Sequence, residues 1–573
     1  MATSQQDFEI LSSERVKPQP PFKEHAVPLS LIDATVANFA LTSAFWCFKP
    51  PQRYHDDVAG LVEHLRKSLG IVLGTYPHLA GHVQSIKTVD GSVPHEAKDF
   101  PAHARRFGRV YVHYGTADDP GVDFVVAKST RTLDDLYPMA RPKATPIWNR
   151  DYATDPFVKF LPASSIRNPL QPYTKDDAGL YPAALAIQLT RLSCGGFVVA
   201  ATVTHSLGDI TALVQFVKDW ASVSRAHLDG QEVPTLTPVI DPSKLDAVAA
   251  GDIDQNQPDQ SILEQTKMLP LARFDWWAPS EGKPWPVEPP GVFAGQDLSP
   301  VANAMPWKDW DTTAPVSNYT IHFSRAQVDV LWARANAPDG AAGSEDSAAV
   351  APSQRISRHD AILAHIWSCV TRARNFASDD EELVHCYPTL GLRPALGLSS
   401  SFIGSPILML NLKLPACSLN EAAAPTTTKT SLSSVAQYIR TTLSSINSNT
   451  TGLAAHLHSI AYQKSPQRIW NGFLGKRHTI VTTWARAGVY EVDFGLHPAP
   501  PSVDDGGPFL RYADGIMPRM DGCILVKEGP PQRQCEGGRA PAAWTDDGVD
   551  VAVAMNSVDM QRLLADPVLL PAV

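Results

Sequence analysis

The hydrophobic pattern of residues 197–225 predicts a strand, a tight turn and a helix. Residues 197–203 are all apolar or β-branched, as expected of a buried strand. The run ends near His205, and Asp209 stands where a helix N-cap would stand. Gly208 gives the intervening turn its backbone freedom. Beyond Asp209, apolar residues recur at helical spacing: Ile210, Leu213, Val214, Val217, Trp220 and Ala221. The pattern therefore places a histidine where a core strand ends, held by rigid structure yet able to face a cavity, as a catalytic base requires.

Similar patterns predict strands and helices in both halves of the chain. The expected strands cover residues 39–48, 108–113, 122–127, 183–192, 318–323, 386–392, 406–414, 480–484, 523–527 and 549–555. The expected helices cover residues 57–73, 357–376 and 435–447, with two more that begin after Ser324 and at Ser557. Ser357 and Asp360 resemble a capping box at the start of one of these helices. Because each half mixes strands with helices, we predict an α+β fold with mixed sheets flanked by helices.

Proline, tryptophan and acidic residues set the segment 226–315 apart, and few regular elements are expected in it. We interpret it as a long crossover linker, because loops of this length tend to be functional or to join domains. The predicted organisation is an N-terminal lobe at 1–225, the linker at 226–315 and a C-terminal lobe at 316–573. Further loops, rich in proline or small residues, are expected at 337–352, 416–434, 498–508 and 529–541.

Composition excludes several classes of function. The formal net charge of −10 argues against nucleic acid or an anionic membrane as the main partner. The seven cysteines are scattered and lack C-x-x-C spacing, so no zinc site or disulfide framework follows from them. The first twenty residues lack an apolar signal core, and no apolar run reaches transmembrane length. The expectation is a soluble cytoplasmic protein without a bound metal.

Two short motifs and six longer blocks carry a family resemblance. His205 to Asp209 reads H-x-x-x-D, and Asp493 to Gly495 reads D-F-G. The blocks stand in order as PLSLID (28–33), YPHLAG (76–81), QLTRLSCGG (188–196), ISRHDAILAHIWSCVTRAR (356–374), LGLRPAL (390–396) and VTTWAR (481–486). Together they resemble the BAHD acyltransferases, in the fungal branch that includes the trichothecene acetyltransferases. The chain departs from the family pattern at three positions, Ile210, Leu496 and His497, where the family usually has glycine, an aromatic residue and glycine.

This resemblance implies two lobes of the chloramphenicol-acetyltransferase type, with a channel between them and His205 at its centre. Acyl-CoA would enter from one face and the acceptor from the other, and the acyl group would pass directly, without an acyl-enzyme. Asp209 would point away from the substrate, with Arg393 as its candidate partner. Asp493 and Gly495 would fix a loop rather than touch the substrate.

The residue chemistry suits this mechanism. A neutral imidazole can take a proton from an alcohol or amine as that group attacks a thioester. Thr483 and Trp484 are candidate donors to the oxyanion, because VTTWAR resembles a block that lines the channel in the family. Lys476 and Arg477 are candidates for binding CoA phosphates, with a solvated basic turn as the alternative. The thioester is already activated, so neither a metal nor a serine nucleophile is required, and the sequence has no G-x-S-x-G, H-E-x-x-H, Walker or G-x-G-x-x-G motif.

The predicted function is an acyl-CoA-dependent O- or N-acyltransferase acting on a small secondary metabolite. Acetyl-CoA is the default donor, with a carrier-protein-bound acyl chain as an alternative. No bound cofactor is expected, and a monomer is expected.

Two other functions stay open: cyclisation or condensation of a polyketide or carrier-bound chain on the same scaffold, and a non-catalytic small-molecule binding protein. Thr204 stands where condensation domains usually have a second histidine, which disfavours condensation, and the presence of both His205 and Asp209 disfavours the binding protein. The sequence identifies neither the acceptor nor the acyl length.

Overall fold

The computed structural model describes residues 7–151, 154–162, 166, 175, 179, 181–284, 288–337, 355–421, 431–497, 508–532 and 543–573. Most of the loops predicted at 337–352, 416–434, 498–508 and 529–541 lie outside these residues. Over the described ranges, none of the helices combines the length and the apolar character that crossing a bilayer would need.

Strands and helices alternate irregularly along the chain. In order, the strands are β1 (Phe8–Val16), β2 (His25–Pro28), β3 (Thr42–Phe48), β4 (His82–Ser85), β5 (Val110–Tyr114), β6 (Val122–Ser129), β7 (Ile147–Asn149), β8 (Leu185–Leu192), β9 (Phe197–Val203), β10 (Phe274–Asp275), β11 (Asn303–Ala304), β12 (Val316–Phe323), β13 (Leu383–Gly391), β14 (Ile407–Met409), β15 (Leu412–Pro415), β16 (Ile469–Trp470), β17 (His478–Thr483), β18 (Leu510–Asp514), β19 (Cys523–Glu528) and β20 (Val549–Asn556). The helices are α1 (Leu31–Thr35), α2 (Val58–Leu73), α3 (Leu133–Leu136), α4 (Arg141–Ala144), α5 (Ile210–Leu228), α6 (Ser243–Asp246), α7 (Gln260–Gln265), α8 (Arg325–Ala335), α9 (Arg358–Ala373), α10 (Ala416–Glu421), α11 (Leu432–Ser448), α12 (Thr450–Ala461) and α13 (Ser557–Ala565).

The first large sheet has the strand order β1–β6–β8–β9–β3–β18. Its neighbours pair antiparallel except β6 and β8, which are parallel. Strand β9 lies inside the sheet and all its residues are buried, which explains its unbroken apolar run. Helices α2 and α5 pack against each other beside this sheet. Their apolar faces share one core with it, which includes Trp46, Phe48, Leu65, Leu69, Val199, Val217 and Trp220.

The second large sheet has the order β14–β13–β17–β19–β20–β12–β7, with β15 also paired to β13. Strands β13, β17 and β19 run parallel, and helix α9 packs against α8, α11 and α13. Ser357 and Asp360 form the predicted capping box at the start of α9. Because β13 and β17 are parallel neighbours, the residues that follow them lie at the same edge of the sheet.

Each large sheet takes one strand from the other half of the chain. Strand β18 comes from the C-terminal half and pairs with β3, whereas β7 comes from the N-terminal half and pairs with β12. The lobe boundaries near residues 225 and 315 stay predictions, and these two exchanged strands tie the halves together.

The crossover segment 226–315 contains only short elements, in line with its composition. Strand β10 pairs with β11 and with β16 of the C-terminal half. Asp275 in β10 accepts two hydrogen bonds from Arg468, at 2.9 and 2.6 Å, and both side chains are buried. The crossover is therefore anchored to the second half by a strand pair and a buried ion pair.

The structure differs from the predicted elements in several places. The short elements β2, β4, β7, α1 and α10 were not predicted, and α10 lies in the loop expected at 416–434. The strand expected at 406–414 is two strands, β14 and β15, because the N–H of Asn411 donates to the crossover carbonyl of Pro270 at 2.7 Å. Strand β1 was not predicted, since it is an edge strand with mostly exposed residues and no apolar alternation. Strand β18 and helix α12 were also missed, and α12 starts from an Asn449 N-cap in a polar stretch.

Candidate active site

His205 lies in the turn between β9 and α5, where the hydrophobic pattern placed it. Its side chain is partly exposed, whereas the residues beside it in the turn are buried. Asp209 caps α5, because its carboxylate accepts the N–H of Ala212 at 2.9 Å. On the other side of the turn, the Thr42 hydroxyl of β3 donates to the Gly208 carbonyl at 2.7 Å. The imidazole is thus carried by a short turn fixed at both ends.

The Ser405 hydroxyl fixes which imidazole nitrogen carries the hydrogen. Ser405 Oγ donates its single hydrogen to the backbone carbonyl of His205, so it can only accept from the imidazole Nδ1, 3.1 Å away. Nδ1 therefore carries the hydrogen, and Nε2 keeps its lone pair. No described residue is within hydrogen-bond distance of Nε2. Burial lowers the pKa of His205 below its usual value of 6.5, partly opposed by a backbone hydrogen bond and by the charge of Asp209.

Ser405 is in turn held by Asp33. The N–H of Ser405 donates to Asp33 Oδ1 at 2.7 Å, and Asp33 forms a capping box with Ser30 at the start of α1. Burial raises the pKa of Asp33 to about 6. Ser30 and Asp33 belong to the PLSLID block, but no sequence signal pointed to Ser405, which lies in the loop between β13 and β14. Three segments distant in sequence thus meet at one imidazole.

Asp209 and Arg393 form a buried bidentate ion pair. The guanidinium nitrogens of Arg393 lie 2.6 and 2.9 Å from the two carboxylate oxygens, and both side chains are less than one-tenth exposed. Arg393 also donates to the carbonyls of Phe402 and Gly404, at 3.0 and 3.2 Å. The Asp209 N–H donates to the same Gly404 carbonyl at 3.1 Å. The pair therefore joins the turn that carries His205 to the loop that carries Ser405.

Thr483 and Trp484 lie at the end of β17, at the sheet edge where β13 also ends. The backbone N–H of Trp484 donates to Val526, and its ring packs so closely on Gly515 that a Cβ there would lie 2.5 Å from the ring. The Trp484 indole N–H donates a hydrogen bond to none of the described residues, although the side chain is only 8% exposed. The hydroxyl of Thr483 accepts the N–H of Ala485 at 3.3 Å.

Asp493 and Gly495 lie near the opposite end of α5, beside Arg225. Arg225 donates to the Asp493 carbonyl, and Asp493 accepts the N–H of Gly495 at 2.9 Å. Gly495 has φ of 72°, and a Cβ there would lie 2.4 Å from Arg225 Cγ. Arg225 is about 24 Å along the helix from Asp209. The structure therefore does not bring the D-F-G segment to His205.

Lys476 and Arg477 precede β17 and lie about 20 Å along that strand from Thr483. Arg477 forms ion pairs with Asp380 at 2.7 Å and Glu382 at 2.9 Å, and its guanidinium covers the Phe376 ring. Lys476 Nζ lies 5.4 Å from the centre of the same ring. This basic turn is thus at the opposite edge of the sheet from Trp484.

The three departures from the family motifs have ordinary structural roles. Ile210 is the first residue of α5 and packs against the first core, and Leu496 is fully buried in the same core. His497 Nε2 bonds the carbonyl of Pro50 at 2.9 Å. All three contacts hold the N-terminal sheet or its loops.

A cavity of about 500 Å³ lies close to His205, although His205 itself is not among the residues that line it. Phe39 lines it, and the Phe39 ring lies edge-on to His205 with 5.7 Å between ring centres. Trp470 lines it as well and contacts Phe39 at 6.1 Å. Most of the remaining wall comes from the crossover and from residues 456–471, and the wall includes Ile32, Leu263, Arg273, Met409, His456 and Ile460. None of these wall residues was singled out from the sequence, because they lie in loops or on helix faces that resemble ordinary core.

Comparisons with known proteins agree with this architecture. A family model described as the Transferase family matches residues 6–93 and 116–270. The chain is 25% identical to acyltransferase AFT15-1 of Alternaria alternata, over 92% of this chain and 90% of that protein. It is 22% identical to acyltransferase abl6 of Leptosphaeria maculans, over 98% of both chains.

Solved structures share the fold at lower sequence identity. The crystal structure of F. graminearum TRI101 complexed with coenzyme A and deoxynivalenol has a TM-score of 0.60 at 15% identity, covering 95% of this chain and 98% of that one. Vinorine synthase has a TM-score of 0.55 at 16% identity, covering 98% and 97%. The matched residues therefore belong to the Transferase family, and the chain is an acyltransferase with the fold that TRI101 and vinorine synthase share.

Proposed function

We propose that this acyltransferase moves an acetyl group from acetyl-CoA to a hydroxyl of a small secondary metabolite, with His205 as general base. The observation that carries the proposal is the imidazole itself: Nδ1 is bonded to Ser405, Nε2 keeps its lone pair, and a cavity of about 500 Å³ begins at Phe39, whose ring contacts the imidazole. The structural neighbour TRI101 was crystallised with coenzyme A, which supports an acyl-CoA donor here. An amine could replace the hydroxyl in the same chemistry.

The proposed reaction needs no covalent enzyme intermediate. Nε2 of His205 takes the proton of the acceptor hydroxyl while its oxygen attacks the thioester carbonyl. The tetrahedral intermediate collapses, the carbon–sulfur bond breaks, and the imidazolium returns the proton to the CoA thiolate. The unpaired indole N–H of Trp484, or the Thr483 hydroxyl, would donate to the oxyanion. Of the basic turn, Lys476 is the better candidate for a CoA phosphate, since Arg477 is already paired with two carboxylates.

A product analysis tests the proposed reaction. Acetyl-CoA and a panel of hydroxylated and amino metabolites are incubated with the protein, and both CoA thiol release and product mass are followed. We expect thiol release that depends on the acceptor, with one acetyl mass added per turnover. A product isomeric with the acceptor would contradict acyl transfer and support cyclisation on the same scaffold.

The pH dependence follows from the lowered pKa of His205. A general base acts when neutral, and the folded-state pKa lies below 6.5, so the active form is fully populated at neutral pH. We expect kcat/KM to stay constant above about pH 7 and to fall as pH drops through this lowered pKa. The profile of log kcat/KM against pH measures it, and a midpoint above pH 7 would contradict a buried His205 as the base.

Ser405 is proposed as a positioning residue that acts through His205. Ser405→Ala removes the acceptor for Nδ1–H, so the ring can rotate and change tautomer. We expect kcat to fall by about 10-fold to 100-fold with KM for acetyl-CoA unchanged. The matched control is Ser400→Ala, an exposed serine of the same loop, which should keep wild-type kcat. A rise in KM without loss of kcat in Ser405→Ala would rule out this positioning role.

A further inference from the structure

Arg273 lines the cavity beside Phe39 without a carboxylate partner among the residues that the structure describes. It is half-buried, and burial lowers its pKa. Within the described chain, its side chain makes one hydrogen bond, from a guanidinium nitrogen to the Thr266 carbonyl at 2.8 Å. A guanidinium has five N–H donors, so most of its donors are available on the cavity side.

The other arginines in or near this wall make more hydrogen bonds than Arg273. Arg468, in the same cavity wall, makes two hydrogen bonds to Asp275 and two more to backbone carbonyls. Arg109 also lacks a carboxylate, but it donates to four backbone carbonyls, those of Phe107, Ile460, Ala461 and Gln463. Arg273 is half-buried in the cavity wall and makes a single side-chain hydrogen bond within the described chain, so an anionic ligand in the cavity would stabilise it.

His456 is next to Arg273 in the cavity wall and adds no charge. It is 6% exposed, and its Nδ1 has no hydrogen-bond partner among the described residues. Burial and the positive charge of Arg273 lower the pKa of His456 to about 3, so the ring is neutral at physiological pH. Arg273 and His456 together thus offer one cation and one unsatisfied polar atom.

The charges around the cavity leave a single positive charge in excess. Its cations are Arg273, Lys464 and Arg468, and the carboxylates are Asp297 in the wall and Asp275 bound to Arg468. Lys464 binds the Gln296 side chain at 3.0 Å and the Asp297 carbonyl at 2.7 Å. Three cations against two carboxylates match a monoanion better than a phosphate dianion, and the guanidinium fork fits a carboxylate.

We propose that this cavity binds an acceptor with an apolar body and a carboxylate, and that Arg273 receives the carboxylate. The apolar wall, which includes Ile32, Leu263, Ile460 and Trp470, would hold the body. The cavity reaches Phe39, which contacts His205, so the group to be acylated points to the imidazole end. The acceptor class is therefore a hydroxy acid. This inference rests on the proposed function, because it takes the cavity as the acceptor site.

Binding of matched acid and amide probes tests the role of Arg273 without any turnover. The pairs are octanoate and octanamide, decanoate and decanamide, and cinnamate and cinnamamide, titrated calorimetrically into the wild type, Arg273→Gln, Arg273→Lys and His205→Ala. We expect the wild type to bind at least one acid about 10-fold to 100-fold tighter than its amide. Arg273→Gln should abolish this preference, and Arg273→Lys should keep part of it.

The His205→Ala arm separates this inference from the proposed function, because that variant should bind the acids like the wild type even if it is inactive. An equal affinity for acid and amide in all three wild-type pairs would overturn the inference, as would an acid preference that survives in Arg273→Gln. Titration with CoA tests whether Arg273 instead binds a phosphate of the acyl donor. We expect equal CoA affinity in the wild type and Arg273→Gln, and a 10-fold loss in the variant would assign Arg273 to a donor phosphate instead.

Discussion

Replacing His205 with alanine is expected to lower the rate of acyl transfer by about 10²-fold to 10⁴-fold, because the acceptor hydroxyl then loses its general base. The residual rate should come from the orientation of acceptor and thioester, which the variant keeps. The free energy of unfolding should change by only about 1 kcal/mol, because the side chain is partly exposed and makes one side-chain hydrogen bond, to Ser405. A large loss of rate with little loss of stability is thus the expected signature of a catalytic residue.

The matched control for this variant is His55→Ala. The His55 side chain is 66% exposed and, among the described residues, pairs only with its neighbour Asp56. Steady-state CoA release with acetyl-CoA and an accepted hydroxyl compound measures both variants, and thermal unfolding checks that both are folded. A His205→Ala variant with wild-type kcat/KM would remove His205 from the mechanism, and the proposed reaction with it.

In the proposed mechanism, the environment of His205 balances two requirements of a base. Burial lowers the pKa of the ring, which keeps it neutral at physiological pH but also weakens it as a proton acceptor. The Ser405 hydroxyl compensates for this weaker basicity by orienting the ring, because it accepts the Nδ1–H and leaves Nε2 free. The thioester is an activated acyl donor, so a base of moderate strength suffices when the reactants are well oriented.

Local features of the site could be predicted from the sequence because neighbouring residues determine them. The unbroken apolar run of residues 197–203 indicates a buried strand, and Asp209 four residues after His205 indicates a helix start. The capping box of Ser357 and Asp360 is similarly local. In these places hydrophobic spacing and capping chemistry agree with the fold, so each element appears close to its predicted bounds.

The parts that were missed depend on contacts between distant segments. Ser405 is 200 residues from His205 and 372 from Asp33, and it lies in a loop without regular periodicity. Strand β18 follows a proline-rich stretch and pairs across the chain with β3, which no local pattern reveals. Arg273 stands out only after folding shows which buried cations have carboxylate partners. The charge balance of a cavity depends on which residues the fold brings together, so it cannot be predicted from the spacing of residues along the sequence.

The buried pair of Asp209 and Arg393 gives the largest stability prediction. Removal of one member leaves the other charge buried without a partner, and we expect Arg393→Met and Asp209→Ala each to lower the free energy of unfolding by about 3–5 kcal/mol. Asp209→Asn separates charge from helix capping, because asparagine also caps helices and can still accept the N–H of Ala212. It should therefore be more stable than Asp209→Ala by about 1 kcal/mol.

A double-mutant cycle with denaturant unfolding measures the pair itself, since each single variant also changes packing. We expect Asp209→Asn combined with Arg393→Met to destabilise by much less than the sum of the two single variants. Activity provides a second readout, because Arg393 holds the carbonyls of Phe402 and Gly404 beside Ser405. Under conditions where Arg393→Met is still folded, its kcat should be lowered, as in Ser405→Ala. Additive stability effects would show that Asp209 and Arg393 are not energetically coupled. A wild-type kcat in Arg393→Met would show that the ion pair does not position the imidazole.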